Sequence, residues 1–187
     1  MNYFIQFLTF FRILISPIIF LLIVLSNSYG FALILFLCAS FSDYWDGYLA
    51  RKYKLESIIG SVLDPVADKI LLTFLILALS IELSSPYIAF LGGTILVREF
   101  WVGALRDLNA RSNNTEATTV SKLAKIKTAT QFIALFSFLL GLFLNSALVI
   151  FLSNFLLFLA LIITLQSGLS YTIATFKKTD EYSEKIL

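Results

Sequence analysis

The amino-acid sequence predicts an all-α, polytopic membrane protein with six transmembrane helices and both termini in the cytoplasm. Three observations predict it. Hydrophobic residues fill 59% of the 187 positions and charged residues only 14%, far from the mix of a soluble globular chain. Apolar runs of about 20 residues, the length that crosses a bilayer, recur along the whole chain. Lysine and arginine collect in every second connection between those runs. This length holds about six or seven crossings and no separate soluble domain, so a single integral-membrane domain over 1–187 is expected.

Breaks at Gly, Pro, Ser, Asn and charged residues delimit helices over about 6–26, 31–51, 57–81, 86–108, 121–144 and 147–174. The connections around Ser26 to Gly30, Glu82 to Pro86 and Asn145 to Ser146 contain neither Lys nor Arg. They are expected to face outward. Arg51, Lys52 and Lys54 lie in the second connection, Arg106, Arg111, Lys122, Lys125 and Lys127 in or beside the fourth, and Lys177, Lys178 and Lys185 in the tail. The positive-inside rule puts these in the cytoplasm. Bare and basic connections therefore alternate as six crossings require. The start, Met1-Asn2-Tyr3, has no basic stretch or small-residue cleavage site, so the first run is expected to stay as a helix. The tail from Phe176 to Leu187 has mixed charge and is expected to lie on the membrane surface.

The residue inventory narrows the chemistry. With no histidine, Ser-His-Asp hydrolysis, histidine metal sites and imidazole proton relays are excluded. The single Cys38 excludes a disulfide framework and reads as a packing residue in an apolar run. Acid–base or metal chemistry must then use carboxylates. Asp43 and Asp46 stand near the inner end of the second predicted helix, and Asp64 and Asp68 near the start of the third, followed by Lys69. An Asp near the centre of a membrane helix costs about 2.5–3.5 kcal/mol, so a cluster needs pairing, metal or a water-filled cavity. The spacings 43 to 46 and 64 to 68 each put both members on one helical face. Treated as antiparallel neighbours, the two helices would carry these carboxylates at about the same depth, roughly 8–12 Å from the inner ends. Four carboxylates without histidine or thiolate describe a site for hard cations, Mg²⁺ or Mn²⁺, with charge enough for two ions. Pairing with Arg51 and Lys69 alone would leave such a cluster short of neutrality.

Read together, Asp43-x-x-Asp46-Gly47-x-x-Ala50-Arg51, then Gly60-x-x-x-Asp64-x-x-x-Asp68, resembles the signature of the CDP-alcohol phosphotransferase family at every fixed position. The stretch Leu63 to Lys69, the pair Arg98-Glu99 leading to Ala104-Leu105-Arg106, Lys125-Ile126-Lys127-Thr128 with Gln131, and Leu8 to Arg12 resemble the bacterial members that use sn-glycerol 3-phosphate as acceptor. The resemblance implies six transmembrane helices in the bacterial inner membrane, a homodimer, and a two-metal site held by Asp43, Asp46, Asp64 and Asp68. It implies that Asp43, Asp46, Gly47, Ala50, Arg51 and Gly60 bind the CDP part of CDP-diacylglycerol, and that Asp68 takes the proton from the acceptor hydroxyl. No nucleic-acid partner is implied.

An acceptor that is a small dianion needs cations opposite the metals. Arg98 lies well inside the fourth run, Lys125 and Lys127 begin the fifth, and Arg106 is a weaker candidate of the same kind; charges at such depth seldom face lipid. Pairing of Arg98 with Glu99 or Asp107 is the structural alternative. Thr9 and Arg12 could border the headgroup cavity, but capping and inner-rim charge explain them equally well. Two other activities remain open at this point: a family member using phosphatidylglycerol as acceptor, and a cation transporter, which also needs intramembrane carboxylates.

Overall fold

A computed structural model describes residues 2–53, 58–111 and 122–184. Among them the chain is entirely helical: α1 (Asn2–Val24), α2 (Tyr29–Tyr53), α3 (Ile58–Glu82), α4 (Pro86–Arg111), α5 (Lys122–Phe143) and α6 (Ala147–Glu184). All six expected helices are present. Two ends differ from expectation. The helical part of α1 begins at Asn2, and α6 continues through the expected surface tail to Glu184 as one helix of 38 residues. No Gly or Pro follows Gly168, so nothing in the backbone chemistry stops that helix at 174.

Four helices contain stretches long and apolar enough to cross a bilayer: Phe7–Val24, Pro86–Ala110, Ile126–Phe143 and Ala147–Lys177. In α2 the apolar stretch is the shorter Tyr29–Ser42. Both α2 and α3 have 25 residues; their acidic segments interrupt the apolar run rather than shorten the helix. Phenylalanines at 31, 90 and 151 are at least 70% exposed, which suits a lipid-facing wall. The protein is a multi-pass membrane protein.

One local rule builds all three connections that lack basic residues. Asn27, Ser84 and Asn145 adopt left-handed φ values of 49°, 45° and 49°, and each is followed by a serine that opens the next helix. The reversal lets the amides of Ser85 and Ser146 bond carbonyls five residues back, Ser80 and Gly141, and that of Ser28 bond Leu22. Ser85 and Ser146 then accept from the amides of Ile88 and Val149 through their hydroxyls. Asn tolerates the left-handed region because its short amide bonds locally.

Packing closes the six helices into a ring in the order α1, α2, α5, α6, α4, α3, with slight contact across it between α3 and α5. The sequence reading treated α2 and α3 as direct neighbours. Among the described residues both pack on α1 instead. Four carboxylates repel at contact distance in a low dielectric, so their two helices need either space or a cation between them. The dry core, with Ile19, Ile23, Phe36, Leu75, Leu79, Ile95, Phe138 and Leu139, fills the half of the ring nearest the three bare connections. Gly92 lets α4 close on α3 there, since a Cβ would lie 2.3 Å from Cγ2 of Ile76. Buried Arg12, Arg98 and Lys127 all lie in the other half.

Candidate active site

Asp64 and Asp68 project from consecutive turns of α3 toward α1. Thr9 Oγ1 donates to Asp64 Oδ1 at 2.5 Å, Arg12 Nη1 donates to Asp68 Oδ1 at 2.5 Å, and Arg12 Nη2 lies 3.4 Å from Asp64 Oδ1. The match follows from direction. Helices α1 and α3 run the same way, so the step from 9 to 12 on one parallels the step from 64 to 68 on the other. Arg12 is only 1% exposed, whereas the two carboxylates are 35% and 36% exposed. The cation is therefore the rigid member and the anions face open space. Both contacts to Asp64 end on Oδ1, so its Oδ2 accepts no hydrogen bond from any described residue.

Lys69, the cation next in sequence, takes no part. Its Nζ lies 5.2 Å from the Phe100 ring centroid on α4, and Gly103 makes room, since a Cβ there would approach Nζ to 2.6 Å. Successive helical residues point about 100° apart, which sends Asp68 to α1 and Lys69 to α4. The backbone of α2 is helical through Asp43, Asp46, Gly47, Ala50 and Arg51, as is that of α3 at Gly60. The side chains of Asp43, Asp46 and Arg51, and that of Lys125, lie outside the described residues. Among the described residues no three carboxylates group together. Asp64 and Asp68 offer only hard oxygen donors, the type that suits Mg²⁺ or Mn²⁺.

A second polar cluster joins α4, α5 and α6. Lys127 Nζ donates to Glu99 Oε1 at 2.6 Å, Arg98 Nη1 reaches the same oxygen at 3.2 Å, and Gln131 Nε2 lies 3.4 Å from it. Gln131 also donates to Thr164 Oγ1 at 2.9 Å, and Arg98 Nη2 to Ser167 Oγ at 2.8 Å. The structure thus brings Arg98 and Lys127 together on Glu99, so of the two partners in the structural alternative for Arg98 it has Glu99 and not Asp107. Nε of Arg98 is buried without a hydrogen-bond partner; it packs on Gly168, where a Cβ would come within 2.6 Å. Arg106 is set apart, its guanidinium 5.8 Å from the Tyr171 ring centroid and about 12 Å along α4 from Arg98. Asn109 extends the same seam, donating to Thr175 Oγ1 at 2.9 Å.

With this geometry in place, the comparisons decide the family. Residues 5–166 match the CDP-alcohol phosphatidyltransferase model. The chain belongs to the CDP-alcohol phosphatidyltransferase family. Among curated relatives, the CDP-diacylglycerol–glycerol-3-phosphate 3-phosphatidyltransferase of Rickettsia felis is 36% identical over 182 residues, covering 95% of each chain. The proteins of the same name from Rickettsia typhi and Escherichia coli K12 are 37% and 33% identical, covering 89% and 68% of this chain and 93% and 71% of their own. The matched region of this family member holds both polar clusters apart from Ser167 and Gly168.

Glu99 is the hub of the second cluster, and its removal strands two cations in a low-dielectric interior. Glu99→Gln is expected to lower stability by about 3 kcal/mol or more, whereas Arg106→Ala, at an exposed site, costs less than about 1 kcal/mol. Thermal unfolding of the detergent-solubilised protein checks the difference; equal effects would deny Glu99 its central place.

Proposed function

We propose that this protein transfers the phosphatidyl group of CDP-diacylglycerol to sn-glycerol 3-phosphate, giving phosphatidylglycerophosphate and CMP. The observation that carries the reading is end-to-end similarity to a protein of that printed activity, 95% of each chain. The two polar clusters supply what the reaction needs. Asp43, Asp46, Asp64 and Asp68 would hold two Mg²⁺ or Mn²⁺ ions, and Asp64 Oδ2 is an oxygen left over for that purpose. Bound ions would neutralise the donor diphosphate and stabilise departing CMP. Gly47, Ala50 and Gly60 leave space for the nucleotide, and Arg51 offers its phosphate a fixed charge.

Asp68 accepts the proton of the acceptor's primary hydroxyl as that oxygen bonds to the lipid-bearing phosphorus and the bond to CMP breaks. Arg98 and Lys127, with Lys125 and Arg106, meet the acceptor's phosphate. Arg98 and Lys127 share the single carboxylate of Glu99, and this pairing of two cations with one anion supports this part. An open groove of about 290 Å³ between α2 and α5, lined by Phe36, Ser40, Thr128, Ala129, Phe132 and Phe136, suits an acyl chain of the donor. Ser40 lies one turn from Asp43, so this groove leads toward the acidic segment. Basic inner connections favour a cytoplasmic active site in a bacterial inner membrane, and a homodimer fits the family.

The test is CMP release from CDP-diacylglycerol by purified protein offered single acceptors. Incorporation of glycerol 3-phosphate that stops with chelator is expected; incorporation of phosphatidylglycerol alone would assign the acceptor differently, and full activity in chelator would remove the metals. Asp68→Asn is expected to lower kcat by roughly 10²–10⁴. Arg98→Ala should raise the KM for glycerol 3-phosphate about 10- to 100-fold, the worth of a charged hydrogen bond, with the donor KM little changed. Ala129→Phe fills the groove, so it should raise the KM for long-chain donor and spare that for a short-chain analogue; parallel changes would take the acyl chain elsewhere.

A further inference from the structure

Arg12 is the most completely buried charge in the described protein, and nothing in the proposed reaction uses it. Its guanidinium reaches Asp68 Oδ1 at 2.5 Å and Asp64 Oδ1 at 3.4 Å. Ser16 Oγ, one turn further along α1, donates to the Arg12 carbonyl at 2.6 Å. At 1% exposure the guanidinium lies inside the bundle, beside both carboxylates. Two carboxylates one turn apart repel each other at the edge of a low-dielectric bundle, and the guanidinium lowers that repulsion.

We propose that Arg12 is a built-in counter-ion which stabilises the metal-free acidic site and opposes the binding of divalent ions there. This rests on the metal reading above and goes beyond it. The argument is electrostatic. Arg12 and a divalent ion draw on the same two carboxylates, so part of the attraction that an ion would feel is already cancelled by the guanidinium. Without that charge the empty site becomes less stable and the filled site relatively more so, and both changes increase the stabilisation that metal brings. Thr9 differs in kind. It donates to Asp64 as a neutral hydroxyl, so it helps to aim that carboxylate without altering the charge.

The experiment compares wild type, Arg12→Gln, Arg12→Lys and Thr9→Val, purified metal-free in detergent without substrates. Melting temperature is measured with and without Mn²⁺, and free Mn²⁺ is titrated by electron paramagnetic resonance. Arg12→Gln should melt lower than wild type when metal-free, show a larger upward shift with Mn²⁺, and bind Mn²⁺ at least tenfold more tightly. Arg12→Lys keeps the charge and should stay within about threefold of wild-type affinity; Thr9→Val should do the same. Unchanged or weaker Mn²⁺ binding by Arg12→Gln would overturn the proposal, as would an Arg12→Lys protein that behaves like Arg12→Gln, because shape rather than charge would then govern. If Arg12→Gln does not survive without metal, its purification with Mn²⁺ and unfolding on chelation, with wild type stable to the same treatment, supports the proposal. Wild type that binds no Mn²⁺ would remove the metal reading itself, a result distinct from either failure.

Discussion

A membrane interior offers buried charge no solvent, and the placement of the buried ionic groups among the described residues follows from that constraint. Arg12 meets Asp64 and Asp68, and Arg98 and Lys127 meet Glu99. Among the described residues the first cluster sets two carboxylates against one guanidinium, and the second sets two cations against one carboxylate. Such residues are costly to hold in an apolar bundle, and they are set in the half of the ring that the hydrophobic core does not fill. The core in the other half supplies the packing that keeps both clusters in place.

Much of the fold was legible because a bilayer imposes few rules on a chain. Run length, turn residues and the alternation of bare with basic connections located all six helices, since each reflects one physical requirement: length to cross, a backbone reversal, and charge on one side. The end of α6 was misread because charge was taken as a stop signal. Lys177 and Lys178 are compatible with helix, and only a backbone breaker would have ended it. The pairing of α2 with α3 differs for another reason. Sequence adjacency favours contact, but among the described residues both helices pack on α1, and Asp64 and Asp68 of α3 turn to it.

Of the polar clusters, Asp64 with Asp68 and Arg98 with Lys127 were legible as residues that need partners, and those partners only in part. Asp64 and Asp68 announced themselves by their cost, and Arg98 with Lys127 by their depth. Arg12 did not, because an arginine about ten residues into a first helix is explained equally well as inner-rim charge. The available signal was spacing: Thr9 and Arg12 repeat on α1 the single-turn step of Asp64 and Asp68 on α3, and parallel helices align such steps. Ser167 and Gly168 gave less warning still. Their part depends on where the Arg98 side chain falls against α6, and no periodicity within one helix reports a contact with another.

The ring order sets the two polar clusters on different arcs of the bundle. Helices α3, α1 and α2 are contiguous in it, and so are α5, α6 and α4. The first arc carries the acidic segments and the second carries Arg98, Glu99, Lys127 and Gln131. Two seams join the arcs. At the α3–α4 seam Lys69 crosses to Phe100 and Gly103, so the residue after Asp68 binds the arcs together while Asp68 turns to Arg12. At the α2–α5 seam the helices part enough to leave the apolar groove. One seam is thus tied by a charged side chain and the other is open toward lipid. A lipid-linked donor can enter only from the bilayer and a charged acceptor only from water, so a bundle with one sealed seam, one open seam and its buried charges gathered at one end meets both demands with six helices.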